Sequence, residues 1–332
     1  FEGSGMSALL DVLAYNTHYL GYNANMLANE MFLDSADLRS SVVSKAKAVG
    51  YTPTSSTSSK AVLDVVVNNA SGASLTMTAG TKFTTTVNDQ SFSFVNKADV
   101  TITPVDGVYK FSDLEVFEGS FLNFKYTAST SDIEQRFIIP NDNVDTTTLT
   151  VKVQESSSDS TTNTYTLADG LTGLTPTSQV YFLQEVENGR YEVYFGDGVL
   201  GKAIADGNIV IFDYVTCNRS LPNGASTFTL SDSIGGFSNV TITTKSTAAN
   251  GTGPESIASI KYNAPRDYAS QDRAVTAEDY KVLVKSLYAN AQAVQVYGGE
   301  DAEVPAYGKV FISIKAKSGT NLTVATKNSI VQ

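Results

Sequence analysis

Few residues of this chain have the types and spacing that chemistry requires. The run Gly196-Asp197-Gly198-Val199-Leu200-Gly201-Lys202 keeps the G-x-x-x-x-G-K spacing with which backbone N–H groups cradle phosphates. The next residue is Ala203, where a magnesium-ligating Ser or Thr is needed, and the run leads through Asp206-Gly207-Asn208 into a strand. A phosphate loop must instead open a helix whose N-terminus receives the anion. We therefore read Gly196, Asp197, Gly198 and Gly201 as a structural turn. Asp197 and Asp206 could also pair as the acid and base of a glycosidase. Both precede glycine, however, a context in which Asp forms turns. Trp is absent, so sugar stacking would fall to the 17 Tyr.

His18 is the only histidine and Cys217 the only cysteine. Histidine-rich metal sites and intrachain disulfides are thereby excluded, and a Ser or Cys nucleophile would depend on His18 as its base. That residue falls on the polar side of an amphipathic segment. No stretch has the D-x-[DN]-x-[DN]-G spacing of a calcium loop. The triplets at Asn69, Asn218 and Asn239 match the glycosylation pattern at the frequency expected in a chain rich in Ser and Thr. The expectation is no catalytic residue, no cofactor, no metal and no small-molecule substrate.

Charge narrows the partners. Lys and Arg number 23 against 34 Asp and Glu, a net charge of −11 that repels nucleic-acid phosphates. No run of 18 apolar residues is present to insert in a membrane, and no charged n-region with an apolar h-region stands at the visible N-terminus. Phe1 in place of Met, and a helix expected to start within Leu322 to Gln332, read as an internal piece of a longer chain.

The elements that must position any site begin with a long helix, expected over Ser7 to Phe32. Leu9, Leu13, Leu20, Leu27 and Met31 recur at helical spacing on one face. Val12, Tyr15, Tyr19, Tyr22 and Met26 form a second stripe roughly 120° around the axis. Two stripes require two sets of neighbours, either within the domain core or in other subunits. Tyr, with an apolar body and a polar tip, suits the second alternative. A second helix is expected from Ala36 to Val49, N-capped by Asp34 or Ser35 and stopped by Gly50 and Pro53. Thr54 to Ser59 reads as a linker.

From Ala61 the texture is β. Strands are expected at Val62–Val67, Lys82–Val87, Phe92–Val95, Phe121–Tyr126, Arg136–Ile139 and Leu149–Val153, a sandwich-like module. Glu155 to Thr164 reads as a loop between modules. Strands then follow at Gln179–Val186, Arg190–Phe195 and Ile209–Val215, the first two joined by an Asn188-Gly189 hairpin turn. Helices at Pro254–Tyr262 and Ala277–Tyr288, with strands at Ala293–Tyr297 and Lys309–Ala316, close the chain. The fold class is multidomain α+β, mostly β. The expected divisions are a helical arm over 1–60, a β module over 61–155, a second β region over 156–250 and an α+β module over 251–332.

Leu10 to Thr17, Asn29 to Ala36 and Gly50-Tyr51-Thr52-Pro53 resemble the helical arm of the baseplate wedge proteins of contractile-tailed (myovirus) bacteriophages. Tyr194 to Gly198 with Gly201, Gly253 to Ser256, Ala264-Pro265-Arg266 and Arg273 to Tyr280 are similar to the wider baseplate J-like family. The resemblance frames the chain at both ends, and the looser stretch from Ala61 to Thr164 is expected to be an insertion. It implies a non-enzymatic virion subunit, assembled in the infected host cytoplasm. It further implies pairing with itself and with other baseplate wedge proteins, the arm entering a heteromeric bundle. The interface residues would then be Leu9, Val12, Leu13, Tyr15, Tyr19, Leu20, Tyr22, Met26, Leu27 and Met31. The competing readings predict different things: a secreted β-rich adhesin needs an upstream signal peptide, and a tail-associated glycan hydrolase needs Asp197 and Asp206.

Overall fold

The computed structural model describes residues 4–132, 135–168, 170, 173–270, 273–288 and 291–316, with 322, 327, 330 and 331. The helix expected to begin in 322–332 lies for the most part outside them. Helix α1 (Gly5–Glu30) starts at Ser4, whose side chain accepts from the Ser7 N–H. Helix α2 (Arg39–Ala48) begins later than its sequence suggests, and neither Asp34 nor Ser35 caps it. The last residue of α1 supplies the acceptor instead: Glu30 Oε1 receives the N–H groups of Asp37 at 2.9 Å and Leu38 at 3.2 Å. Ser35 Oγ turns back to donate to the Asn29 carbonyl at 2.6 Å. Gly50 ends α2 at φ +85°, as expected of a residue one past the cap.

The stretch after Pro53 is no linker. Ser55, Ser56, Ser58 and Ser59 are buried, because their polar groups find distant partners. Ser55 Oγ bonds Thr146 Oγ1 at 2.8 Å, the Ser58 N–H donates to Asp145 at 2.7 Å, and Ser59 Oγ donates to Asn223 at 2.6 Å. A polar segment can be interior when most of its donors and acceptors are matched in this way, the Ser58 hydroxyl being the exception here.

Fifteen strands follow among the described residues: β1 (Lys60–Val67), β2 (Leu75–Met77), β3 (Lys82–Val87), β4 (Gln90–Val95), β5 (Val100–Ile102), β6 (Tyr109–Glu118), β7 (Ser120–Thr127), β8 (Phe137–Ile138), β9 (Val144–Gln154), β10 (Thr162–Leu167), β11 (Val180–Glu185), β12 (Tyr191–Phe195), β13 (Ile209–Thr216), β14 (Thr229–Leu230) and β15 (Val240–Ala249). They form two sheets and a ribbon. The six-stranded sheet has the order β14-β3-β4-β6-β1-β15, and the β2–β5 ribbon lays Leu75 and Met77 on its core of Leu63, Val65, Phe83, Phe94 and Phe111. The seven-stranded sheet has the order β7-β13-β9-β10-β11-β12-β8. It rolls up until its edge strands meet. The Tyr126 ring of β7 lies 5.7 Å from that of Phe137 on β8, and its hydroxyl donates to the Ile138 carbonyl at 2.6 Å.

The sheets do not divide at residue 155, since β9 and β10 are partners, Gln154 facing Thr162. The expected loop Glu155–Thr164 accordingly ends inside β10. Hydrogen bonding changes sheets at Gly119 and again between β13 and β14, so the rolled sheet is inserted within the six-stranded one. The nested piece is thus 120–216, whereas Ala61–Thr164 straddles both sheets. The Asn188-Gly189 turn between β11 and β12 has both residues at positive φ, 61° and 71°, the hairpin conformation its sequence predicts.

Helix α3 (Ile257–Ser270) passes its expected end and runs through Pro265. Helix α4 (Ala277–Leu287) starts from a capping box, in which Thr276 Oγ1 accepts the Asp279 N–H and the Asp279 carboxylate accepts the Thr276 N–H. Strands β16 (Ala291–Gly298) and β17 (Val310–Ala316) form an antiparallel pair beside it. Val42, Val43 and Ala46 of α2 pack on Ile260 and Ala264 of α3, joining the two ends of the chain.

A polar joint ties these helices to the rolled sheet. Arg39 makes a bidentate pair with Glu185 of β11, at 2.7 and 2.8 Å, and its third nitrogen donates to the Glu255 carbonyl. Tyr51 Oη donates to the Glu255 carboxylate, which also accepts from Ser259 and Asn263. The Glu185 side chain is 1% exposed and that of Arg39 29%. Arg39→Ala strands a buried carboxylate, so we expect a loss of about 2–4 kcal/mol, below the full buried-pair cost because Arg39 reaches solvent. Urea unfolding checks this. Adding Glu185→Leu should restore most of the loss, and no restoration would mean the energy resides elsewhere.

Candidate assembly interface

Helix α1 has no buried residue. Its ten expected interface residues, Leu9, Val12, Leu13, Tyr15, Tyr19, Leu20, Tyr22, Met26, Leu27 and Met31, are between 42% (Met26) and 70% (Leu27) exposed. Nine lie within the helix, and Met31 is its C-cap. Among the described residues, neither stripe is covered by the chain's own core. Val12, Tyr15, Tyr19, Tyr22 and Met26 follow the three-four alternation of a coiled-coil seam, and Leu13, Leu20 and Leu27 repeat every seventh residue beside it. Tyr15 and Tyr19 already pack together, ring centroids 4.7 Å apart. Covering the exposed part of each large side chain would contribute roughly 1–2 kcal/mol. Met6, Leu10 and Phe32 are equally exposed and were missed. Met6 stands one heptad before Leu13, a signal present in the spacing.

The second expected group is a tight turn. Asp197 Oδ1 accepts from the N–H groups of Val199 and Leu200, both at 2.9 Å, and the Gly198 N–H donates to the Gly201 carbonyl at 3.1 Å. Those N–H bonds hold the Asp197 carboxyl below the usual carboxylate range, the wrong direction for a general acid. A Cβ at Gly196 would stand 2.4 Å from the Leu200 carbonyl oxygen. Glycine is required there for closeness, while Gly198 and Gly201 supply positive φ, 86° and 93°. The result is a rigid tip presenting Val199 and Leu200 to solvent. Asp206 accepts the Thr130 N–H at 2.9 Å, a bond between segments far apart in the chain.

His18 lies exposed on α1. Cys217 is buried, its thiol 3.5 Å from the Asn143 carbonyl and pushed up to about 11 by desolvation, so it is a poor nucleophile. Among the described residues no group of three His, Cys, Asp or Glu converges as metal ligands, and no helix is long and apolar enough to cross a membrane.

Three family models match the chain in order. Residues 1–51 match the helical domain of the baseplate wedge protein gp6-like family. Residues 123–223 match the third domain of bacteriophage baseplate wedge protein gp6, and 276–332 match C-terminal domain I of baseplate structural protein gp6. All three models describe gp6-type baseplate proteins, and none alone covers half of the chain. One relative is baseplate wedge protein gp6 of Enterobacteria phage T4. It is 28% identical over 357 aligned positions, which cover 99% of this chain and 52% of that protein. The chain thus spans about half the length of this relative. A solved structure, the six-fold symmetrised baseplate of the anti-feeding prophage, aligns over 87% of this chain and 52% of its own, at 11% identity and a TM-score of 0.26. A likeness that low carries no argument about the fold.

Proposed function

We propose that this chain is a structural, non-enzymatic subunit of a contractile-tail baseplate wedge, which pairs with itself and with another wedge protein to build the ring around the tail tube. Its place is the virion, after assembly in the host cytoplasm. The observation that carries this is α1, a helix of two apolar seams with no buried residue, which needs neighbours from outside its own body. The wedge-protein likeness of the arm, of the rolled sheet and of the region from α4 onward supports it, as does the nature of the T4 relative. The blocks around Tyr194–Gly201 and Arg273–Tyr280 extend the likeness to baseplate J-like proteins, in which the turn would serve shape. Quantitative mass spectrometry of purified particles tests the proposal. A fixed copy number proportional to the wedge count is expected. Absence from particles, with the chain recovered at a cell surface or in the medium, would overturn it in favour of the adhesin.

A further inference from the structure

A groove of about 210 Å³ lies between α3, α4 and β16, floored by Val282, Ala293 and Val294. Three cations converge on it. The Arg266 guanidinium lies 3.5 Å above the Tyr262 ring and Lys285 Nζ lies 5.0 Å from the same ring. Lys281 pairs with Glu278 at 2.6 Å, and Glu278 is the one carboxylate of the lining. Its own carboxyl is held low by Lys281 first and then by Arg266 and Lys285. Arg266 is held in place by donating to the Tyr262 carbonyl at 2.7 Å, which leaves further N–H donors of its planar fork for an incoming carboxylate. In a chain of net charge −11, this is a local excess of positive charge over a partly apolar floor.

The same module carries the complement. Beyond β16, Glu300, Asp301 and Glu303 are exposed, and none makes an ion pair among the described residues. The loop is held in shape by the Gly299 N–H on the Lys309 carbonyl and the Ala306 N–H on the Gly299 carbonyl, each at 2.8 Å. Beside the carboxylates stand Val304 and Tyr307, 80% and 82% exposed. The groove meets β16 in its first half, at Ala293 and Val294, and the loop follows the strand's end at Gly298, about 13 Å on from Val294 at about 3.3 Å per residue. Among the described residues no ion pair joins the groove's cations to the loop's carboxylates within one chain.

We infer that the groove of Arg266, Lys281 and Lys285 receives the acidic loop of Glu300, Asp301 and Glu303 from a second copy of this chain. Tyr307 then has an apolar surface to settle on, as an aromatic at the centre of a charged rim. The contact is head-to-tail. Such a contact leaves one groove and one loop free at the ends of any assembly, so it propagates, closing as a ring if the rotation allows. It deepens the self-pairing part of the proposed function and is independent of the α1 seams.

The test uses the full chain, with heavy- and light-isotope copies mixed and joined by zero-length carbodiimide coupling. Cross-links from Lys281 or Lys285 of one copy to Glu300, Asp301 or Glu303 of the other are expected at low salt and should fade as salt screens the charges. Arg266→Glu with Lys285→Glu, or Glu300→Lys with Asp301→Lys, should each lower the yield about tenfold in homogeneous solution. An equal mixture of the two variants should restore heavy-to-light coupling, through the intact groove on the intact loop and through the two reversed surfaces on each other. Circular dichroism confirms that each variant is folded. Equal yield in either variant alone, or no such heavy-to-light cross-link in the wild type, overturns the inference. Association through α1 would persist in high salt and in both variants, so failure of the arm contact and failure of this one are read separately.

Discussion

Tyr19→Asp on one seam of α1, or Leu20→Asp on the other, is expected to abolish partner binding while leaving the thermal midpoint of the isolated chain unchanged. Both side chains are about half exposed or more in the free chain, so a carboxylate there meets water and costs the monomer little. In an assembled bundle the same carboxylate loses its hydration and gains no counter-charge, since α1 carries Asp11 and Glu30 but no Lys or Arg. An uncompensated buried charge costs on the order of 3–5 kcal/mol, about a hundred-fold or more in affinity. The two substitutions lie on different seams, so each should remove a different neighbour. Sedimentation velocity with added wedge components, beside a circular-dichroism melt, checks both parts. A midpoint lowered as much as binding would place α1 against its own body.

Gly119→Ala is expected to be the most damaging single methyl in the described chain. Gly119 is the residue at which the chain leaves the six-stranded sheet and enters the rolled one, and its φ is +128°. A Cβ there would lie 1.9 Å from the Thr216 carbonyl oxygen and 2.9 Å from its carbon, both backbone atoms of the strand paired with β7. Neither can move without opening the joint. On its other side Glu118 is fully buried, its carboxylate accepting the Asn218 N–H and side-chain amide at 2.8 and 2.7 Å. Backbone strain plus an overlap of this depth places the loss at about 4 kcal/mol or more. Thermal and urea unfolding measure it. A loss below about 1 kcal/mol would show that the two sheets are free to shift at this point.

The parts of this fold legible in its residues are those that local interactions determine. Helix α1 follows from its spacing, α4 from Thr276 and Asp279 in one turn, and the β11–β12 hairpin from Asn188-Gly189. What escaped depends on partners far along the chain. Strand β15, with Thr, Lys and Ser alternating along much of its length, has no apolar run to announce it, and it exists because β1 lies beside it, Val65 opposite Ile242. Strand β10 is likewise polar and is held by β9. The serines of 55–59 have the composition of a linker, and their burial follows from Thr146, Asp145 and Asn223. Asp34 and Ser35 stand where a cap for α2 usually lies, but the acceptor is Glu30, reaching across from the previous helix. Of the candidate interface, the two seams were readable and their exposure was not. Periodicity reports that a face is apolar, never what covers it.

The insertion of the rolled sheet within the six-stranded one has a consequence for how the chain is made. Strands β1 and β6 leave the ribosome early, but β15, which covers the free edge of β1, begins only at Val240. At about 5–20 residues per second, the interval between the end of β6 and the start of β15 is on the order of 10 s. During that time β1, with Leu63 and Val65 destined for the core, offers an open strand edge to any neighbouring nascent chain. The rolled sheet, continuous from 120 to 216, can close in the meantime. Its closing brings the two cut ends of the outer sheet together, Ser120 opposite Thr216, so the guest becomes the clamp that lets its host finish.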